Sequence, residues 1–155
     1  MTATRPIVLA AHEGEFIQTQ VARLIKARGA DTAGAMSFTV VSSQPGFAGP
    51  PLHRHLRNAE AFYVLEGTFR FRIGEEYRDV VQGDFVFVPI GTPHAFANVG
   101  GEGRMIVIFS PADFEGYFDE IAKIHEQHGT REEIAAAQLK FGMEVLGPPI
   151  GAADA

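Results

Sequence analysis

The chain has 155 residues, of which 46% are hydrophobic and 21% charged, a composition typical of a soluble globular protein with one domain and a buried core. Its formal net charge of −6 argues against nucleic acid or an anionic membrane as a partner, because both select for basic surfaces. The absence of cysteine excludes disulfides, thiolate catalysis and cysteine-bound zinc, so any metal must be held by nitrogen and oxygen.

The N-terminal apolar run is short. It extends only from Ile7 to Ala11 and is followed at once by His12 and Glu13. Because a signal peptide or a membrane span needs a longer apolar stretch, we expect a cytoplasmic protein.

The first third of the chain predicts a tail or edge segment followed by two strands. Residues 1–18 show no clear period, whereas Thr19–Arg28 alternates as a strand does and 35–43 is rich in β-forming residues. A turn separates the two strands, and a loop over Pro45–Pro51 leads towards the first histidine pair. One face of the first strand would carry Val21, Arg23 and Ile25.

The stretch from His53 to Gly67 contains two histidines two residues apart. On a strand, His53 and His55 point to the same face, so a metal site is plausible there. The separation between His55 and Glu60 is odd, which requires a turn or bulge over 56–59 to return Glu60 to that face. Two further residues would then share the face with Glu60: Phe62 and Val64.

The next part of the chain predicts a hairpin and three more strands. Residues 68–81 form the hairpin around Gly74, and Asp84–Val88 is a strand that Pro89, Gly91 and Pro93 interrupt. The chain restarts at His94, whose strand would present His94 and Phe96 inward, and Arg104–Phe109 is the last strand.

Helical signals replace strand signals at Ser110. Ser110 as N-cap and Pro111 in the first turn predict a helix whose apolar residues recur at helical spacing: Phe114, Phe118, Ile121 and Ile124. A capping box of Thr130 and Glu133 predicts a second helix that ends at Gly142. The residues after Gly142 are predicted to be coil.

Short strands at regular spacing followed by helices predict an all-β protein, a closed jelly-roll β-barrel of two antiparallel sheets with a C-terminal helical appendage. We divide the chain into a tail or edge segment at 1–18, a barrel at 19–110, and helices and a tail packing on the barrel at 111–155.

Two stretches of this sequence resemble the two motifs of the cupin superfamily, in particular of small quercetin-dioxygenase-like cupins. The first reads His53-x-His55, four residues, Glu60, six residues, Gly67. The second reads Gly83, five residues, Pro89-x-Gly91, two residues, His94, three residues, Asn98. The first motif departs from the pattern at its start, where the upstream glycine falls at Gly46 or Gly49. The resemblance implies a cupin-type barrel with a metal inside it.

Carried over by position, the resemblance implies four metal ligands: His53, His55, Glu60 and His94. This ligand set suits one divalent transition metal per chain, and iron, nickel, manganese, cobalt, copper and zinc all remain open. Glu60 can be a ligand or the catalytic base. Family resemblance alone implies a homodimer, since cupin barrels pair through sheet edges.

Aromatic residues near the proposed ligands predict an apolar substrate pocket. Phe62 and Phe96 each lie two residues from a ligand and are the first choice for its walls. The full predicted set is Phe38, Phe62, Phe71, Phe96 and Phe109. By contrast, His125 and His128 do not have HExxH spacing and are interpreted as surface histidines.

The resemblance favours a metal-dependent dioxygenase that acts on an aromatic or enolisable small molecule, with dioxygen as co-substrate. One alternative is a non-oxidative lyase or isomerase that uses the metal only as a Lewis acid. Another is a module that binds or senses a small molecule without turnover, because the fold hosts many activities.

Overall fold

A computed structural model describes residues 5–152 as two antiparallel β-sheets with two helices near the C-terminus. The strands are β1 (Glu15–Gln18), β2 (Ala22–Ala27), β3 (Ser37–Ser43), β4 (Leu52–His55), β5 (Ala59–Glu66), β6 (Thr68–Ile73), β7 (Glu76–Val81), β8 (Phe85–Val88), β9 (His94–Asn98), β10 (Gly103–Ser110) and β11 (Met143–Gly147). The helices are α1 (Glu115–Glu126) and α2 (Arg131–Lys140), and a short 3₁₀ turn follows at Ile150–Ala152. None of the helices in residues 5–152 is long and apolar enough to cross a membrane.

The two sheets form the jelly roll that the strand pattern predicts. One sheet has the order β1-β2-β3-β10-β5-β8 and the other the order β11-β4-β9-β6-β7. Their inner faces enclose a core whose largest fully buried side chains are Phe62, Phe69, Phe71, Phe109 and Met105. The all-β prediction is therefore confirmed, and the interior of the barrel is rich in phenylalanine.

Strand alternation explains why the central hairpin faces the core as it does. In β6, Phe69 and Phe71 are buried, while Arg70 between them pairs with Asp79 on β7 at 2.7 Å. The turn at Gly74 has a φ of 59°, a left-handed backbone conformation that glycine adopts at little cost. The predicted hairpin is confirmed.

The N-terminal prediction concerned residues 1–18, of which 1–4 lie outside the described residues. Residues 5–14 contain no regular helix or strand, and Glu15–Gln18 forms β1 at the edge of the six-stranded sheet. The edge-segment alternative thus applies to the last four residues of this region.

The predicted start of the first helix at Ser110 is wrong. Ser110 is the last residue of β10, where it pairs with Ala59, and its hydroxyl donates a hydrogen bond to the carbonyl of Ala35. Asp113 has a φ of 132°, which no right-handed helix contains, so α1 begins only at Glu115. Pairing with a neighbouring strand has overridden a local capping signal.

The second helix is confirmed, and the predicted coil after it is wrong. Both hydrogen bonds of the Thr130–Glu133 capping box are present, and Gly142 follows the helix with a φ of 70°. Beyond it, Met143–Gly147 forms β11, which pairs with β4 in antiparallel register. The C-terminal segment therefore covers the edge of the strand that carries His53 and His55.

Candidate metal centre

The four predicted ligands lie together inside the barrel. His53 and His55 come from β4, Glu60 from β5 and His94 from the start of β9. All four are buried, with exposed fractions of 5% or less, and one ligand atom from each lies within 4.8 Å of the others. His53 is directly opposite His94 in the pairing of β4 with β9.

The odd spacing between His55 and Glu60 has a simple structural cause. Residues 56–58 leave β4 and cross to β5, which belongs to the other sheet. Because the two sheets face each other, Glu60 on β5 points back across the interior towards His55. The sequence predicted a turn or bulge at 56–59, and the structure has a turn between the sheets. Asn58 anchors this turn by donating a hydrogen bond to the carbonyl of Pro111 at 2.8 Å.

Backbone carbonyls orient two of the three imidazoles. The Nδ1 atoms of His53 and His94 lie 2.7 Å from the carbonyl oxygen of Pro51 and 2.9 Å from that of Thr92. A carbonyl only accepts hydrogen bonds, so Nδ1 is the protonated nitrogen in each ring and Nε2 is left to face the cluster. This is the arrangement that holds metal-binding histidines in one tautomer.

Glu60 stands at the centre of the cluster. Its Oε2 atom lies 2.8 Å from His94 Nε2 and 3.2 Å from His55 Nε2. Both ring nitrogens of His94 therefore face acceptor oxygens, an arrangement that requires a positive charge between the ring and Glu60, either a proton or a metal ion.

Burial and the neighbouring charges set the protonation states. Burial alone would raise the pKa of Glu60, but hydrogen bonds from His55 and His94 outweigh it and hold that pKa well below its usual range. Burial together with the adjacent imidazoles of His94 and His55 lowers the pKa of His53 to about 3, so this ring is neutral at pH 7. Burial also opposes the charge on His94, but its hydrogen bond to Glu60 prevails and raises its pKa.

This donor set fits one divalent metal ion. It offers imidazole nitrogens in the correct tautomer and an ionised carboxylate, which are ligands that first-row transition metals accept. It does not discriminate among those metals. His55 Nδ1 is buried and has no hydrogen-bond partner within residues 5–152, so His55 is the imidazole with the least fixed orientation.

A cavity of about 270 Å³ adjoins the cluster, and His53, His55 and Glu60 form part of its wall. Of the predicted pocket residues, Phe96 and Phe109 line it. Phe62 and Phe71, also predicted as wall residues, do not line it: both are fully buried in the core, where the Phe62 ring packs 5.6 Å from that of Phe96.

Phe38 does not line the cavity, and its prediction as a wall residue is wrong. In β3 the buried residues are Ser37, Thr39, Val41 and Ser43. Phe38 alternates with them and lies on the outer face of the sheet, partly exposed.

The sequence analysis missed the part of the wall that the C-terminal elements supply. Its members come from α1 and the residue before it, from α2 and from β11, and they include Phe114, Tyr117, Phe118, Gln138 and Met143. Phe114 packs against the ligand His55, with ring centroids 4.3 Å apart. The helical spacing of Phe114 and Phe118 indicated a packing face, but nothing local indicated that this face closes a cavity. His125 is exposed as predicted but also lines the cavity.

Arg23 also lines the cavity, and it too was missed by sequence reasoning. Its signal was present in the alternation of the first strand, where Arg23 shares the inward face with Val21 and Ile25, both of which are buried.

Comparison with known proteins adds sequence and fold relatives. Residues 39–110 match the family described as the cupin domain. Quercetin 2,3-dioxygenase of Bacillus subtilis is 28% identical over 102 residues, which are 65% of this chain and 30% of that enzyme. The matched segments span 30% to 51% of the lengths of the curated relatives.

Two solved structures illustrate the fold similarity. KdgF from a Halomonas species superposes with a TM-score of 0.64 at 24% identity, covering 72% of this chain and 99% of its own. A protein described as a predicted oxalate decarboxylase from Thermotoga maritima superposes with a TM-score of 0.60 at 21% identity, covering 68% of this chain and 99% of its own. At these identities the likeness is one of fold.

Proposed function

The chain belongs to the cupin superfamily, and from this we propose that it is a metal-dependent dioxygenase acting on an aromatic or enolisable small molecule. One observation carries the proposal: a buried cluster of three histidines and one glutamate opens onto a largely apolar cavity whose wall includes six phenylalanine or tyrosine rings. The similarity to quercetin 2,3-dioxygenase over 65% of the chain supports the same proposal.

A divalent ion held by His53, His55, Glu60 and His94 would supply Lewis-acid chemistry, lowering the pKa of a substrate hydroxyl and presenting the ionised substrate to dioxygen. The chain supplies the orientation. Carbonyls of Pro51 and Thr92 hold the rings of His53 and His94, and the ring of Phe114 packs nearly perpendicular to that of His55.

Glu60 is the proposed catalytic base. Its carboxylate is buried, is ionised at pH 7 because its pKa is depressed, and lies on the inner surface of the cavity. A carboxylate in that position can accept the proton of a substrate hydroxyl. The 2.8 Å contact with His94 Nε2 would hold the Glu60 carboxylate in place for this transfer.

The proposed substrate pocket favours flat, apolar molecules. Phe96, Phe109, Phe114 and Phe118 present aromatic surface that would stack on such a ring and exclude water. Small dianionic acids should bind poorly there, because Arg23 is the single lysine or arginine among the described residues of the wall and can pair with one carboxylate only.

Oxygen dependence tests the proposal. The protein, stripped of metal and reloaded with each candidate divalent ion in turn, would be incubated with flavonols and other enolisable aromatic compounds while dioxygen uptake and products are followed. A dioxygenase should consume dioxygen in step with substrate, place both atoms of labelled dioxygen in the products, and lose activity on chelation. Turnover under strict anaerobiosis would contradict the proposed dioxygenase activity and would favour a lyase or isomerase. Ligand binding with no turnover across the panel would favour a binding or sensing module.

A further inference from the structure

The cavity contains a cation that the proposed chemistry has not used. Arg23 projects inward from β2 into the same cavity that His53, His55 and Glu60 line. Its guanidinium carbon lies 3.8 Å from the centre of the Phe118 ring. This cation–π contact fixes the guanidinium against α1 and limits the positions that its donors can reach.

Arg23 has no counter-ion in contact with it. Its Nε atom is buried without a hydrogen-bond partner, and within residues 5–152 no carboxylate or carbonyl accepts a hydrogen bond from its guanidinium. The cluster residue Glu60 interacts with it electrostatically, but the Glu60 carboxylate is already engaged by His55 and His94. Five N–H donors in a rigid planar fork are therefore left for another acceptor.

The guanidinium remains charged despite its surroundings. Burial lowers the pKa of Arg23 to about 10, against the opposing influence of Glu60 and Tyr117, so it carries its proton at pH 7. Burying the Nε–H of a charged group without a partner is unfavourable, and groups whose pKa is perturbed by burial cluster at functional sites.

We propose that Arg23 binds the carboxylate of an aromatic monocarboxylic acid whose ring lies against the phenylalanines of the cavity. The planar guanidinium matches a carboxylate with two parallel hydrogen bonds. The proposal rests on the proposed function in one respect: the other end of the acid would face the four-residue cluster.

The lining of the cavity selects this class of ligand. Arg23 is the single lysine or arginine among the described residues that line it, which favours one anionic group over two. The remaining wall is largely apolar and includes six phenylalanine or tyrosine rings. The cavity volume of about 270 Å³ lies near the lower end of the roughly 300–1,000 Å³ usual for small-molecule sites. A one-ring acid fits these limits.

A matched pair of probes tests the proposal. Protein treated with a chelator would be titrated by calorimetry with 3-phenylpropionate and with 3-phenylpropionamide, which has the same shape without the charge. The acid should bind on the order of ten- to a hundredfold more tightly than the amide, the usual scale for hydrogen bonds to a charged group.

Variants assign this preference to one residue. Arg23→Met should remove the preference for the acid, because it weakens binding of the acid and not of the amide. Arg23→Lys should retain part of this preference. Arg78→Met is the matched control, since Arg78 lies on the edge strand β7 with a side chain that is 80% exposed, and it should leave the preference unchanged. An Arg23→Met protein that still prefers the acid would overturn the proposal.

A direct readout covers the case in which Arg23→Met does not fold. In the unmodified chain, the Nε–H resonance of Arg23, assigned by its absence from the Arg23→Lys spectrum, should shift on addition of 3-phenylpropionate and not on addition of the amide. Equal shifts with both probes, or none, would overturn the proposal.

Repeating the titration with metal restored separates this inference from the proposed function. A preference for the acid in chelator-treated protein supports the role of Arg23 even if no dioxygenase activity is found. If the preference for the acid appears only with metal and persists in Arg23→Met, the metal binds the carboxylate of the ligand. That result would overturn the role of Arg23 but would support metal binding by the cluster.

Discussion

At the scale of single residues, Glu60 has two proposed roles: it is a metal ligand and the catalytic base. It is the one carboxylate among the four clustered side chains, and its Oε2 atom contacts two of the three imidazoles. Glu60→Gln keeps the shape of the side chain but removes the charge and the capacity to accept a proton, while three histidines can still hold some metal. We expect the rate per bound metal to fall by about a hundredfold or more, the scale of general-base catalysis.

The matched control for that measurement is Glu66→Gln at the exposed end of the same strand, which should retain the full rate. Turnover would be normalised to bound metal in both variants. An undiminished rate in Glu60→Gln would make Glu60 a structural ligand only and would favour Lewis-acid chemistry without a protein base.

Gly49, one of the two glycines upstream of the first motif, occupies a position that only glycine fits. Its φ is 86°, and a Cβ atom at this position would lie 1.5 Å from the carbonyl oxygen of Phe96, two residues after His94. Gly46 has a similar φ of 76° but open space around it. Gly46→Ala should therefore cost only the strain of a left-handed alanine, about 1–2 kcal/mol, whereas Gly49→Ala must also displace the backbone of β9.

Urea unfolding of both variants measures the difference. We expect Gly49→Ala to be clearly the less stable of the two and to bind less metal, since β9 carries His94. Equal losses of stability would mean that the close approach to Phe96 is relieved without cost.

The predictability of individual residues depended on how local their signal is. The grouping of His53, His55, Glu60 and His94 could be predicted because their spacing is a local feature of the sequence, and the structure brings the four side chains together. Arg23 was missed because strand alternation shows the face of a residue but not what lies opposite it. The misplacement of Phe38 has the converse cause: composition favoured a wall residue, but its strand register turned it outward.

At the scale of elements, Glu115 ties the start of α1 to the turn after β2. Its carboxylate accepts hydrogen bonds from the backbone N–H of Gly29 at 2.8 Å and of Asp113 at 2.9 Å. Burial would raise the pKa of Glu115, but these hydrogen bonds outweigh it and lower the pKa below its ordinary value of 4.5. Glu115 therefore stabilises the fold fully above about pH 4.5, and this contribution is lost as the pH falls through the lower, folded-state value.

Glu115→Gln should reduce the free energy of unfolding by about 2 kcal/mol at pH 7, because an amide N–H₂ replaces one of the two accepting oxygens. The variant and the unmodified chain should approach each other in stability as the pH falls through the lowered pKa of Glu115. Denaturant unfolding at a series of pH values checks this, with Glu126→Gln at the exposed end of α1 as the control. A stability difference that does not change with pH would contradict the assigned role.

Elements with strong internal periodicity were predictable, and elements defined by their neighbours were not. The β6–β7 hairpin and the α2 capping box follow from local sequence and are confirmed. Strand β11 is five residues long and exists because β4 offers it an edge. The beginning of α1 likewise depends on the pairing of Ser110 with Ala59, which no local signal reports.

At the scale of the whole molecule, the homodimer remains a prediction. The edge strand β8 exposes two aromatic side chains, Phe85 and Phe87, with exposed fractions of 64% and 55%. Tyr63 on β5 lies opposite Phe85 and extends the same apolar surface. Exposed apolar surface at a sheet edge favours association through that edge.

We therefore expect a dimer in solution that Phe85→Lys converts to monomer, as measured by light scattering. Phe16→Lys is the control, because Phe16 is also 64% exposed but lies on β1 at the opposite edge of the same sheet. An unmodified chain that is monomeric, or a Phe85→Lys variant that remains dimeric, would contradict this choice of interface.

The architecture as a whole was predictable because strand spacing and the two motifs agree on one fold. The closure of the cavity by the C-terminal elements was not predictable, since it depends on long-range packing of Phe114 and Phe118 against β-strand residues such as Phe109. The same packing makes the C-terminal helices part of the candidate site.

The central claim is that the cluster of His53, His55, Glu60 and His94 binds one metal ion, and elemental analysis of protein purified without added metal tests it most directly. The unmodified chain should contain one divalent transition metal ion per chain, and so should His12→Ala, which changes an exposed N-terminal histidine. His94→Ala removes a ligand outright and should contain much less metal. Full occupancy in His94→Ala, or an unmodified chain that neither contains nor takes up a divalent ion, would contradict the account.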